Sequence, residues 1–304
     1  MIVKITHAVV GRLAMLLLIL LFAGCAQVAV LPEKPDFQGD VELQRWPGEV
    51  RETSGLARYE GLNWTLNDSG NPASLLAIDD AGGLIKQVFL TGAENIDWEA
   101  MAQDEEALYV ADCGNNRGKR ERFTLYRVSW AALQQAPSGG EVAVTRLQVR
   151  LADYQPPENR LHNFDCEGLT VVGNELWLFS KNRGDGQTRL YRLDKHQPEQ
   201  TVEPVASYPV AGLITGADYN PQTQQLVLLG YSRQRLLGYS FIWLVPVDGL
   251  PDWSRALRIT LQIYAQWEAV KWLEDGRLLL SCEDSPLLGV SRGIMTPRLA
   301  NDEL

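Results

Sequence analysis

Acidic residues recur in this sequence at positions that a β-fold would bring together. Asp97 and Glu99 are two apart, as are Asp165 and Glu167, and a strand sends residues i and i+2 to the same face. Glu268 stands in a matching segment, and Asp112 and Glu283 follow in their own segments. Convergence of Glu99, Glu167, Glu268 and Asp112 would make a ring of oxygen ligands suited to a hard cation such as calcium. Without a cation, so many carboxylates held together would have raised pKa values. A second role is equally open to them: accepting backbone hydrogen bonds and holding neighbouring units in register.

Asp97, Asp165, His162, Asn115, Asn182 and Glu283 are the further candidates for the same mouth. His162 and His196 are the only histidines beyond the first two dozen residues. That leaves little room for a Ser-His-Asp triad or a multi-histidine zinc site, and no catalytic residue is assigned. Arg117, Lys119 and Arg120 lie in one loop, and Lys181, Asn182 and Arg183 stand at the corresponding place in the next unit. Basic loops around an acidic centre suit an anionic substrate held over a metal, or simply a solvated surface. Trp98, Trp267 and Trp272 read as packing residues.

The elements that must position these groups are visible as an internal repeat. Ser54-Gly55-Leu56, Glu99-Ala100-Met101, Glu167-Gly168-Leu169, Thr215-Gly216-Ala217 and Glu268-Ala269-Val270 are spaced by 45, 68, 48 and 53 residues. Thirteen residues after Ser54, Glu99, Glu167 and Glu268 come Asn67, Asp112, Ser180 and Ser281, each at the end of an apolar run. Leu176-Trp177-Leu178-Phe179 and Leu278-Leu279-Leu280 read as buried strands, with Gly173-Asn174 and Asp275-Gly276 as hairpin turns. About 50 residues holding three or four antiparallel strands is the pattern of a propeller blade. The fold expected is all-β, a five-bladed β-propeller over 41–304. A six-bladed ring with one degenerate blade and an open β-sandwich are the alternatives. The last unit is short of strands, and Val41 to Trp46 can supply one and close the ring. Gly or Ala after each acid fits the crowding of innermost strands near the axis.

The N-terminus reads as a bacterial lipoprotein signal over 1–24. Lys4 and Arg12 precede an apolar run, 13–22, that is too short to span a bilayer. Ala23-Gly24-Cys25 resembles a lipobox, with Cys25 as the lipidated residue, carrying acyl chains such as palmitate. Ala26 after it resembles lipoproteins that travel to an outer membrane, where the domain would face the periplasm. Residues 25–40, with Pro32 and Pro35, read as a tether. The whole sequence carries a formal charge of -10, and loss of Lys4 and Arg12 with the signal makes it -12. Nucleic acid is therefore not an expected partner. Cys113, Cys166 and Cys282 remain, an odd number in a compartment that permits disulfides. A bridge between Cys113 and Cys166 is left open.

Ser54-Gly55-Leu56, Asn67-Asp68-Ser69-Gly70, Asp97-Trp98-Glu99, Asp112-Cys113-Gly114-Asn115-Asn116, His162 to Glu167, Leu213 to Asn220 and Ser281-Cys282-Glu283 carry a resemblance across nearly the whole mature chain. They resemble a little-characterised family of secreted and lipoprotein bacterial β-propellers, distantly similar to the SdiA-regulated and NHL-repeat propellers. That resemblance implies five blades and an association with calcium, and no particular reaction. The function expected is a membrane-tethered binding module with a divalent cation at the channel mouth, for an unknown small-molecule or envelope-protein ligand. A metal-dependent hydrolase of lactonase, esterase or phosphoesterase type and an envelope scaffold are the alternatives.

Overall fold

The computed structural model describes residues 38–39, 41–233, 238–261, 263–283 and 292–295. The expected signal, Cys25 and most of the expected tether lie outside the described residues. Among those described, no helix is long and apolar enough to cross a membrane.

Nearly all regular structure among the described residues is β, arranged as a propeller of mainly antiparallel sheets. Among the described residues, the innermost strands of the sheets are Thr53–Tyr59, Trp98–Gln103, Cys166–Val172, Leu213–Asn220 and Trp267–Trp272. Each inner strand turns back through a short hairpin into an apolar second strand, and two or more outer strands follow. Leu62–Asn67, Ala107–Asp112, Glu175–Ser180, Gln225–Tyr231 and Leu278–Cys282 are the second strands. Neighbouring inner strands touch in sequence order, and Trp267–Trp272 returns to Thr53–Tyr59. The cycle is therefore closed.

Closure uses the start of the domain, as the repeat pattern requires. Val41–Gln44 pairs antiparallel with Arg292–Met295, which pairs with Leu278–Cys282, so the outermost strand of the last sheet comes from the other end of the chain. Arg45 and Trp46 do not join that strand. Trp46 instead packs with Val50, Leu56, Leu76, Ile78, Ala269 and Leu279 in the core between the last and first sheets. Gln38–Gly39, within the expected tether, pairs parallel with Thr260 and Leu261. Four more apolar cores fill the remaining gaps between adjacent sheets. Blade faces are apolar on both sides and must be covered by neighbours, so the sheets are stable only as an array. Trp98 and Trp267 are fully buried in these cores. Their indole N–H groups donate to the carbonyls of Glu94 and Ile263, each four residues upstream.

The sequence repeat has a structural cause at the mouth. In every inner strand the register slips by one residue, between Thr53 and Gly55, Trp98 and Ala100, Cys166 and Gly168, Ile214 and Gly216, and Trp267 and Ala269. The residue passed over is Ser54, Glu99, Glu167, Thr215 or Glu268. Each is the extra residue of a β-bulge, a device that re-aims a side chain out of the ladder. The small residue that follows lies against the next blade. A Cβ on Gly55 would sit 2.5 Å from Met101 Cγ, and one on Gly216 would sit 3.1 Å from the Glu268 carbonyl oxygen. Packing of this kind leaves only about 10 Å³ open on the axis, lined by Met101, Glu167, Gly216 and Glu268 among others. That is room for one water at most, so the mouth does not open into a pore.

Candidate functional site

The five bulge residues divide by chemistry. The hydroxyls of Ser54 and Thr215 donate to the carbonyls of Trp98 and Trp267 in the next blade, at 2.7 and 2.6 Å. These two tie blades together, which is the register-holding role. Glu99, Glu167 and Glu268 are all buried, and Glu167 and Glu268 line the space on the axis. Glutamate reaches past the neighbouring backbone, so these three bring charge to the centre.

Lys181, at the end of the second strand of the third sheet, stands among them. Its Nζ is 3.0 Å from Glu167 Oε1 and 5.4 Å from the centre of the Tyr231 ring. Lys181 and Asn182 are buried rather than solvated, so the reading of this run as a surface loop is corrected for those two residues. Burial alone would lower the lysine pKa, but Glu167, Glu268 and Glu99 together hold it well above its ordinary value. One ammonium cannot neutralise three buried glutamates. Burial pushes the Glu167 carboxyl up to about 8 and Glu268 up to about 7, against the pull of Lys181. Burial and the nearby Glu167 raise Glu99 well above the usual carboxylate range. The Glu268 Oε2 atom is buried with no hydrogen-bond partner.

Asp112 has a different job from the one expected of it. Its Oδ1 accepts from the Asp97 backbone N–H at 3.1 Å and pairs with Arg120 Nη1 at 2.8 Å. Arg120 is held further by the carbonyls of Asp112 and Gly114. Asp165 is likewise committed, pairing with Arg183 and accepting from the Asn115 N–H. The amide of Asn115 bridges Arg120 and Phe164 carbonyls, and Asn182 bonds Ser180 and Asp185. His162 Nδ1 accepts from the Phe164 N–H at 3.2 Å. Burial keeps its pKa below the ordinary value. Glu283 accepts from Gln266 at 2.8 Å, with burial raising its pKa.

A covalent bond locks this part of the mouth. Cys113 and Cys166 form a disulfide with Cα atoms 5.5 Å apart, joining the second and third sheets. Its flanking residues are Asp112, Gly114, Asp165 and Glu167.

Among the described residues, another convergence of carboxylates lies at the first and second sheets. Asp68, Asp97 and Glu99 each place an oxygen within 4.8 Å of the others. Burial raises Asp68 to about 6 and raises Asp97 as well. Beyond burial and Glu167, the charges of Asp68 and Asp97 raise Glu99 further, while Lys181 pulls it down. Gly114 makes the gathering feasible, since a Cβ there would lie 2.4 Å from Asp97 Oδ2 and 2.6 Å from Glu99 Oε1. Of the four expected ligands, only Glu99 belongs to this group; Asp112 faces Arg120 and Glu167 faces Lys181. Residue type alone marks neither Asp68 as a ligand nor Lys181 as the partner of Glu167. Both follow directly after the thirteen-residue offset positions Asn67 and Ser180, and that shared register was the signal available.

No protein-family model and no curated protein matches the chain. Solved structures similar to it include a proposed oxidoreductase (glucose dehydrogenase) from Thermus thermophilus, 11% identical with a TM-score of 0.45, over 84% of this chain and 99% of that one. A proposed 6-phosphogluconolactonase from Bacteroides fragilis is 10% identical with a TM-score of 0.41, over 83% of this chain and 90% of that one. The WD40 repeats of RRP9 are 12% identical with a TM-score of 0.39, over 81% and 67%. None of these likenesses bears on the chemistry of the mouth.

Proposed function

We propose that the chain is a five-bladed β-propeller lipoprotein, anchored through Cys25 in the outer membrane and facing the periplasm, that works as a binding module with a divalent cation at its mouth. The observation carrying this reading is the convergence of Asp68, Asp97 and Glu99, with the Glu99 side chain buried. Three carboxylate oxygens suit a hard cation, and calcium tolerates the irregular geometry better than magnesium. Lys181 supplies the compensating charge for Glu167 and removes it from the ligand set. Glu268 remains close enough in charge to strengthen the field. Among the described residues, the histidine and aspartates nearest the site are held by backbone or arginine, which favours binding over hydrolysis.

Thermal melts in calcium, magnesium and chelator test the cation. A cation bound only by the folded state raises the melting temperature, and equal melts in all three would refute the reading. The anchor is tested apart from it: Cys25→Ser is expected to leave the membrane fraction.

A further inference from the structure

The mouth carries a second feature that the cation does not use. Ile96, Leu161 and Tyr264 are 56%, 68% and 37% exposed. They lie in the loops that lead into the inner strands of the second, third and fifth sheets, just before Glu99, Glu167 and Glu268. Large apolar residues thus recur around the acidic centre on the same end of the propeller. The centre keeps excess negative charge even with a divalent cation on Asp68, Asp97 and Glu99. Glu268 has a buried oxygen without a hydrogen-bond partner, and Glu283 and Glu52 accept from neutral amides, of Gln266 and Asn71, both at 2.8 Å.

We infer that this rim docks a polypeptide that presents a lysine or arginine between apolar side chains, with the basic group directed at the accessible Glu283 and Glu52, over the buried charge of Glu268. The inference rests on the binding-module reading and not on the cation. Charge complementarity selects a basic group over an acidic one, and the exposed apolar rim supplies the desolvated surround that such a contact needs. The closed axis keeps the ligand on the surface, which disfavours a buried small molecule. A groove of about 570 Å³, lined by Tyr154, Pro156, Pro157, Arg117, Lys119 and Arg160 among others, reaches the residue that precedes Leu161. It gives an extended segment a path off the mouth.

The test is selection of a displayed library of random twelve-residue peptides on the immobilised mature protein in calcium. Enriched peptides are expected to carry Lys or Arg with apolar neighbours. Replacing that basic residue by Ala should weaken binding at least tenfold, as should Leu161→Ser/Tyr264→Ser in the protein. This double variant should keep the wild-type calcium shift in melting temperature, because neither residue touches the carboxylate trio. Failure to enrich any peptide, enrichment without a basic residue, or equal binding to the double variant would overturn the proposal. So would concentration-dependent dimers that the double variant abolishes, because the rim would then meet a second copy of this chain. A protein that binds such peptides but shows no calcium response would retain the docking site and lose the cation.

Discussion

The ammonium of Lys181 lies 3.0 Å from the carboxylate of Glu167, with both side chains buried. A lysine therefore occupies part of the ring where sequence logic placed a metal. Removing one partner of a buried pair costs about 3–5 kcal/mol, because the other charge is left stranded. Glu167 can escape that cost by taking a proton. Lys181→Met is thus expected to destabilise the fold by about 3 kcal/mol near pH 9 and by distinctly less near pH 6. Urea unfolding at the two pH values measures the difference, and an equal loss at both would contradict the pairing.

The raised carboxyls also set the pH dependence of the cation-free protein. Glu268 titrates near 4.5 in an unfolded chain and at about 7 in the fold. Between those values the folded state holds a proton that the unfolded chain has released. Stability is then fully present below the lower value and is lost as pH rises through the upper one, by roughly 3 kcal/mol for this group. In chelator, the protein should melt at a higher temperature near pH 5 than near pH 8. Glu268→Gln should flatten that slope, and an unchanged slope would place the titration elsewhere.

Cys113 and Cys166 close a loop of 53 residues across two sheets. Bridges of this kind typically contribute about 2–4 kcal/mol. Cys113→Ser/Cys166→Ser should lower the urea midpoint accordingly. It should also weaken the calcium response, because Cys113 adjoins Gly114, whose missing side chain makes room for Asp97 and Glu99. A stability loss with an undiminished calcium response would confine the bridge to a scaffold role.

Deleting Val41 to Gln44 strips the outer strand from Arg292–Met295 and exposes a sheet edge. The truncated domain should melt several degrees lower and aggregate, read by light scattering. Retention of the wild-type melt would mean that the ring closes without that strand.

Much of this architecture was legible because one local device repeats. The offset of thirteen residues reflects an inner strand, a hairpin and a second strand that ends opposite the bulge, and the small residue after each bulge reflects inter-blade crowding. What eluded the residue types was pairing across space. Asp112 reads as a ligand until Arg120, eight residues on, folds back against it. Lys181 and Asn182 read as surface residues because charge and polarity usually mean solvent, and only the ring geometry sets Lys181 against Glu167. The Cys113–Cys166 bridge depends on the approach of two blades, which spacing in the chain does not encode.

The most direct measurement of the central claim is calorimetric titration of calcium into the chelator-stripped protein, beside Glu99→Gln and Gly114→Ala. Glu99→Gln keeps the shape and removes one charge, while Gly114→Ala places a methyl group within contact of Asp97 and Glu99. The account predicts one saturable site in the wild type and at least tenfold weaker binding in each variant, with folding preserved. Absence of calcium binding by the wild type, or equal affinity in all three proteins, would contradict it.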